Sequence, residues 1–431
     1  MKTHTKRRAI TALSVAAAAG VVLAGCAGPG AEDSGDVTLT VQAWADTTQA
    51  EVYEEVFDVF EEKNPGVTVK LDWMDVGSYQ DKLATKFAAG SPPDVMFLVG
   101  LWLAEYASRG ALADLSEFSD EIDFDDLPDS ILASGQLDGA TYGMPTGSTA
   151  IGFVYNNEIV EQAGLGMPDD STWTWEDFEA FNKDIFDATG VYGTGFYVPW
   201  TPAISTFARQ RGEDFYTEDG ELGVSVDTVE DYFQMTVDMR ADGGFAPAGS
   251  LEDQGSSTAE SPLGKDFIAS QVIPSNVFPD FQSALDGKLS LMRFPGETEG
   301  ERPGMAVTPT LLWAAAAQSK HPEEAAKLID FLTNDPESYE ARSTLLGVPI
   351  NPAVAEEVAA GLEPDAKTFV DYVLGLQEED LAPYFLEPAG AGEVGNALVS
   401  VGTEVEFGRM TPREAAEKFV SEAESILANA G

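Results

Sequence analysis

Between residues 37 and 99 the chain switches back and forth between two hydrophobic periods, and this restricts its fold more than any other feature. Val37, Leu39, Val41 and Ala43 interleave with threonine and glutamine, a spacing of two that predicts a strand ending at Trp44. Val52, Val56, Phe57 and Phe60 then recur at helical spacing until Asn64-Pro65-Gly66 interrupts them. Residues 67–73 read as a second strand, 79–89 as a helix closed by Gly90, and 94–99 as a third strand. Strand, helix, strand, helix, strand is a parallel α/β unit with right-handed crossovers. Such sheets bind ligands beyond the carboxyl ends of their strands. Trp44 and Gly100-Leu101-Trp102 fall at two of those ends.

The signals continue downstream. Residues 150–156 read as another apolar strand, Trp173 to Phe178 opens a helix, and residues 243–262 are loop. Pro322 to Leu332 and the stretch from Thr411 onward are helices with proline in the first turn and acids beside it. Asn334-Asp335-Pro336 ends the former. The 395 residues beyond position 36 are too many for one ordinary core and imply two lobes. A hydrophobic content of 44% is that of a globular chain.

The first residues give a compartment. Lys2, Lys6, Arg7 and Arg8 precede Ala9 to Ala24, a run of 16 small or apolar residues. A membrane-spanning helix needs about 20, so residues 1–25 read as a signal peptide. Leu23-Ala24-Gly25-Cys26 resembles the bacterial lipobox, which implies a diacylglycerol on Cys26. Two acyl chains suffice for stable anchoring. Cys26 is the only cysteine, so no disulfide forms within the chain. Residues 26–36 are small, polar and acidic, a flexible tether from the lipid anchor. This places the protein on the extracellular face of a bacterial membrane, of Gram-positive type.

The formal net charge is −50, and without the four basic residues of the leader it is −54, from 20 basic and 74 acidic residues. Charge of that sign opposes nucleic acid and anionic membrane surfaces. It is spread along the chain, as for a well-solvated surface.

The order of short stretches across almost the whole mature chain resembles the extracellular solute-binding proteins of carbohydrate ABC importers, the relatives of the maltose-binding protein. The stretches are Phe60 to Val69, Gln80 to Leu83 with Pro93-Asp94-Val95, Arg109 to Ser116, Tyr142 to Pro145 with Phe153 to Asn157, and Ala163 to Leu165 leading to Thr172-Trp173. Near the C-terminus they are Ser319 to Ala326, Phe331 to Pro336, and Gly347 to Asn351. The resemblance implies an α/β, two-lobed, periplasmic-binding-protein-like fold with a hinge and an interlobe cleft. One lobe would be 37–148 plus 310–345, the other 152–307 plus 346–431, with crossings near 148–153 and 308–316. It also implies a monomer that captures a sugar or oligosaccharide, closes by hinge motion, and delivers it to an ABC permease.

A sugar needs flat rings for its C–H faces and polar groups for its hydroxyls. Trp313 lies where the resembling proteins carry a cleft-facing crossing. Trp44 ends the first strand, Trp102 follows the third, and Trp200 sits in a Pro-bounded loop. Trp173 and Trp175 read as core, Trp73 as strand packing. Asp94 stands where the family places a hydroxyl-accepting acid. Tyr79, Thr146, Ser275 and Asn276 complete the expected contacts. Arg293 and Arg342 read as exposed salt-bridging residues.

The rival class is a secreted carbohydrate-active enzyme; within transport, the alternative is a non-sugar solute. A glycosidase needs two carboxylates at fixed separation, which 74 acids cannot single out. Beyond the leader the one histidine is His321, at a helix start. No Ser–His–Asp elbow, histidine cluster, phosphate loop or D-x-D-x-D-G calcium loop is present. Asp123, Asp125 and Asp126 read as a solvated acidic loop. Neither a cofactor nor a metal is expected.

Overall fold

A computed structural model describes residues 36–195, 200–251, 258–379, 381 and 387–430. The leader, Cys26 and the tether as far as residue 35 lie outside the described residues. The first sheet is the one the two periods predict. Strand β1 (Val37–Trp44) pairs in parallel with β2 (Val67–Met74), Val37 opposite Val67. Strand β3 (Val95–Leu98) lies on its other side, with Val41 opposite Val95. Two antiparallel strands complete five: Leu312–Ala315 beside β3, then Met144–Pro145.

The connecting helices begin where side chains can satisfy free backbone N–H groups. Asp46 and Gln49 form a reciprocal capping box, their side chains each accepting from the other's backbone N–H, at the start of Thr47–Lys63. The second helix runs Val76–Ala88, three residues earlier than its apolar spacing suggests. Asp75 accepts from the Ser78 N–H and starts the helix there. Val76 is exposed, so no apolar period marks that first turn. Gly100 to Ser108 forms a helix directly after β3, which no separate signal announces. Trp73, expected as strand packing, is 39% exposed on the edge strand β2.

The hydrophobic interior divides in two. One core gathers residues between Leu39 and Met144 and between Leu311 and Ile350. The other gathers residues between Ala150 and Met305 and between Val348 and Ala423. The second surrounds a three-stranded antiparallel sheet with Ile151–Asn156 at its centre. Helices Val226–Asp242, Ala391–Glu406 and Pro412–Ala430 pack against one another beside it. Among the described residues, no helix is long and apolar enough to cross a membrane.

Among the described residues, the chain passes between the cores at three adjacent places. Ser148–Thr149 pairs antiparallel with Thr308–Pro309. Ser148 also exchanges both backbone hydrogen bonds with Val348, at 2.7 and 2.8 Å. That third crossing has no local sequence signal. Arg342, expected on the surface, is 2% exposed beneath it. Its guanidinium donates to the carbonyls of Thr146 and Leu332 and lies 3.8 Å from the Tyr339 ring centre. Those carbonyls and the ring face do there what water does at a surface.

Gly347 has φ +99°, and a Cβ built on it would stand 2.5 Å from Thr310 Oγ1 and 2.7 Å from the Ser148 carbonyl. Gly347→Ala should therefore cost about 2–3 kcal/mol of stability, read by thermal unfolding. Gly166→Ala, where a Cβ meets nothing within 4 Å, is the control. Equal melting of both variants would refute the constraint.

Candidate functional site

Two cavities open along the seam between the cores. The larger, about 1170 Å³, has Trp102, Glu105 and Arg109 on the first lobe and Glu218, Asp219 and Glu393 on the second. The smaller, about 380 Å³, lies against the crossings and is walled by Thr149, Trp200, Arg209, Tyr216, Asn276 and Thr310. Glu387 lines both. Burial pushes its carboxyl above the usual carboxylate range.

The carboxyl end of the parallel sheet carries an aromatic cluster. The Trp44 ring is 5.9 Å from Trp102 and 5.0 Å from Tyr79, edge to face in both cases. Tyr79 and Trp102 stack at 6.1 Å. Trp44 and Trp102 are half-buried, and Trp102 reaches the larger cavity. Tyr79 is fully buried and donates to the carbonyls of Gln42 and Phe97 at 3.0 and 2.8 Å. Its hydroxyl is committed to the strand ends, so it backs the cluster and does not face the cavity.

Trp200 and Asn276 come together in the smaller cavity. Trp200 is the N-cap residue of helix Thr201–Gln210, and Pro202 follows inside that helix. Asn276 is held by Thr149, whose hydroxyl donates to Asn276 Oδ1 at 3.1 Å. Ser275 lies behind them, fully buried, accepting from the Ala150 N–H and sharing a hydrogen bond with Thr149.

Three other expected contacts sit elsewhere. Trp313 is 1% exposed in the first sheet, opposite Phe97, the ring centres 4.0 Å apart. The crossing segment ends before it, and Leu312 has already entered the sheet. Asp94 braces strands: one oxygen accepts from the Thr40 N–H and hydroxyl, the other from Ser319. Thr146 is fully buried, its carbonyl taken by Arg342. Arg293 pairs with Glu379, as its salt-bridging reading requires. Trp173 is core, whereas Trp175 is half-buried beside a separate groove on the second lobe, its Nε1–H donating to Gln210.

Sequence reasoning missed Thr149, Arg209, Tyr216, Thr310 and Glu387. Arg209 lies 3.8 Å from the Asp214 carboxylate, which fixes it at the wall. Thr310 Oγ1 is buried with no hydrogen-bond partner among the described residues. Thr310 falls within the second expected crossing and was open to notice; Glu387 is one acid among many.

Two cores, three crossings and a cleft between them define a two-lobed binding protein. The chain belongs to the bacterial extracellular solute-binding proteins, whose family profile matches residues 43–338. It is 25% identical to the arabinooligosaccharide-binding protein of Bacillus subtilis over 76% of each chain. It is 27% identical to a lipoprotein of Streptomyces antibioticus over 72% of this chain and 70% of the other. Its fold matches that of a periplasmic solute binding protein from Pectobacterium atrosepticum with a TM-score of 0.80, at 22% identity, over 91% of this chain and 99% of that one.

The two tryptophans should separate in a melting experiment. Trp313→Ala empties a packed core position and should cost about 3–5 kcal/mol. Trp200→Ala, half-buried at a cavity wall, should cost less than about half of that. Equal losses would mean that Trp200 is core as well.

Proposed function

We propose that this protein captures an oligosaccharide between its lobes and hands it to an ABC permease in the same membrane. The observation that carries the reading is the smaller cavity, where the Trp200 ring, the Asn276 amide and the Thr149 hydroxyl meet at the crossings. A flat ring supplies a face for sugar C–H groups, and the amide and hydroxyl serve its rim. Arg209 and Tyr216 add a donor fork and a second ring at the same wall. The larger cavity, with Trp102 at its edge, provides room for further units. About 300–1000 Å³ is usual for a small-molecule site; the smaller cavity falls within that range and the larger just above it. The named ligand of the Bacillus subtilis relative supports the same class.

The lobes are taken as 37–148 with 310–345 and 152–307 with 346–431, and the separation of the two cores supports that division. Ligand contacts fall to Trp44, Trp102, Trp200 and Asn276. Tyr79 and Ser275 back those contacts, Asp94 and Thr146 brace the first lobe, and Trp313 acts only as packing. Each hydroxyl hydrogen bond contributes about 0.5–1.5 kcal/mol net, so a micromolar complex, near −8 kcal/mol, needs several together with ring contacts. Closure about the crossings would bring the two walls onto the ligand, and the closed form is what a permease distinguishes.

The protein binds and releases its ligand unchanged, and its family of binding proteins supports that over turnover. A monomer anchored by lipid on Cys26, outside a Gram-positive membrane, fits the leader, the lipobox and the lipoprotein relative. Titration of intrinsic fluorescence with neutral oligosaccharides tests the reading. A saturable change at micromolar ligand, lost in Trp200→Ala and kept in a fold-intact Trp73→Ala, is the expected result. Silence across arabino-, gluco- and galacto-oligosaccharides and across their amino-sugar counterparts would overturn it.

A further inference from the structure

The larger cavity is lined by six carboxylates, those of Glu105, Asp138, Glu218, Asp219, Glu387 and Glu393. Arg109 is the one cation among its lining residues, and its guanidinium already lies 2.9 Å from Glu105. Five of the six acids are exposed and contribute only to the sign of the field. Glu387 is different. It is half-buried and stands in the wall shared by both cavities. Burial raises its carboxyl, and among the described residues no hydrogen bond or ion pair to that carboxylate is present.

A desolvated carboxylate at the junction of two compartments gains most from a ligand that brings its own positive charge. A hydroxyl gives it one neutral hydrogen bond. An ammonium gives a charge-assisted one, roughly twice as strong. A sugar acid at the same point adds like-charge repulsion. Rings on either side, Trp200 in the smaller cavity and Trp102 in the larger, provide faces for the neighbouring sugar units.

We propose that Glu387 is a specificity-determining ligand contact that joins two sugar subsites, and that the saccharide it selects carries a free amino group at the unit between them. This rests on the oligosaccharide reading above. Calorimetric titration of the purified protein with length-matched pairs tests it: glucosamine and galactosamine oligomers against their N-acetylated forms, at about pH 6 so that the amines are protonated. The free-amine member of at least one pair should bind about tenfold tighter than its acetylated partner. In Glu387→Gln that advantage should shrink below about threefold. Equal affinities within every pair in the wild type, or an advantage that survives Glu387→Gln, would overturn the proposal. If that variant melts early, the wild-type ratios decide alone. Binding of neutral oligosaccharides without any amino sugar overturns only the role of Glu387; binding of neither class overturns the oligosaccharide reading with it.

Discussion

The exchange of backbone hydrogen bonds between Ser148 and Val348 is the constraint on which the remaining architecture depends. Two hundred residues separate these positions, and each opens a passage from one core to the other. Because Ser148 is fully buried, its N–H and carbonyl must find protein partners. Val348 supplies both, at 2.7 and 2.8 Å. Thr308–Pro309 takes the other side of Ser148–Thr149, and Gln377 reaches the Ser148 hydroxyl from the second lobe. Gly347 makes the contact sterically possible, since any side chain there would enter Thr310 or Ser148. Three crossings joined in this way hold the two lobes together along one seam.

The seam also decides which side chains can serve a ligand. The smaller cavity abuts the crossings, so Thr149 and Thr310 belong at once to the hinge and to the wall. Thr149 bonds Ser275 and Asn276 across the second lobe. A ligand that engages Asn276 therefore pulls on the same hydrogen bonds that hold the crossing strand. Binding and hinge geometry are linked here through shared atoms, which is a physical route for coupling and not merely proximity.

Much of the fold is legible in the sequence because it is local. The alternation of Val37 to Ala43 and the spacing of Val52 to Phe60 each encode one element, and caps such as Asp46 fix the ends. The helix from Gly100 is not legible, since Leu101-Trp102-Leu103 simply continues the apolar run of β3. The third crossing follows only from the lobe division at 345/346 that the resemblance implies, and its pairing is not legible at all, because nothing near Val348 encodes Ser148. The site was half legible. Trp200 stands out because prolines on either side isolate it from any regular apolar pattern. Trp313 misleads, because two residues decide whether a tryptophan ends a crossing or enters a sheet, and only the register with Phe97 fixes that.

The net charge poses the sharper question of which acids matter. With so few cations, most carboxylates stay unpaired, and surface pairs such as Arg413 with Asp227 and Glu230 contribute little each. Counting acids around a cavity therefore says little in a chain of this composition, because any patch of its surface would count acidic. Burial discriminates where composition does not. Water and salt screen Glu218, Asp219 and Glu393, whereas Glu387 has lost part of its water at the point where the two cavities meet. A half-dry carboxylate with no partner among the described residues carries a desolvation cost, and a ligand that donates to it offsets that cost. Selection for ligand chemistry thus falls on the one acid among those lining the larger cavity that the fold has partly withdrawn from solvent.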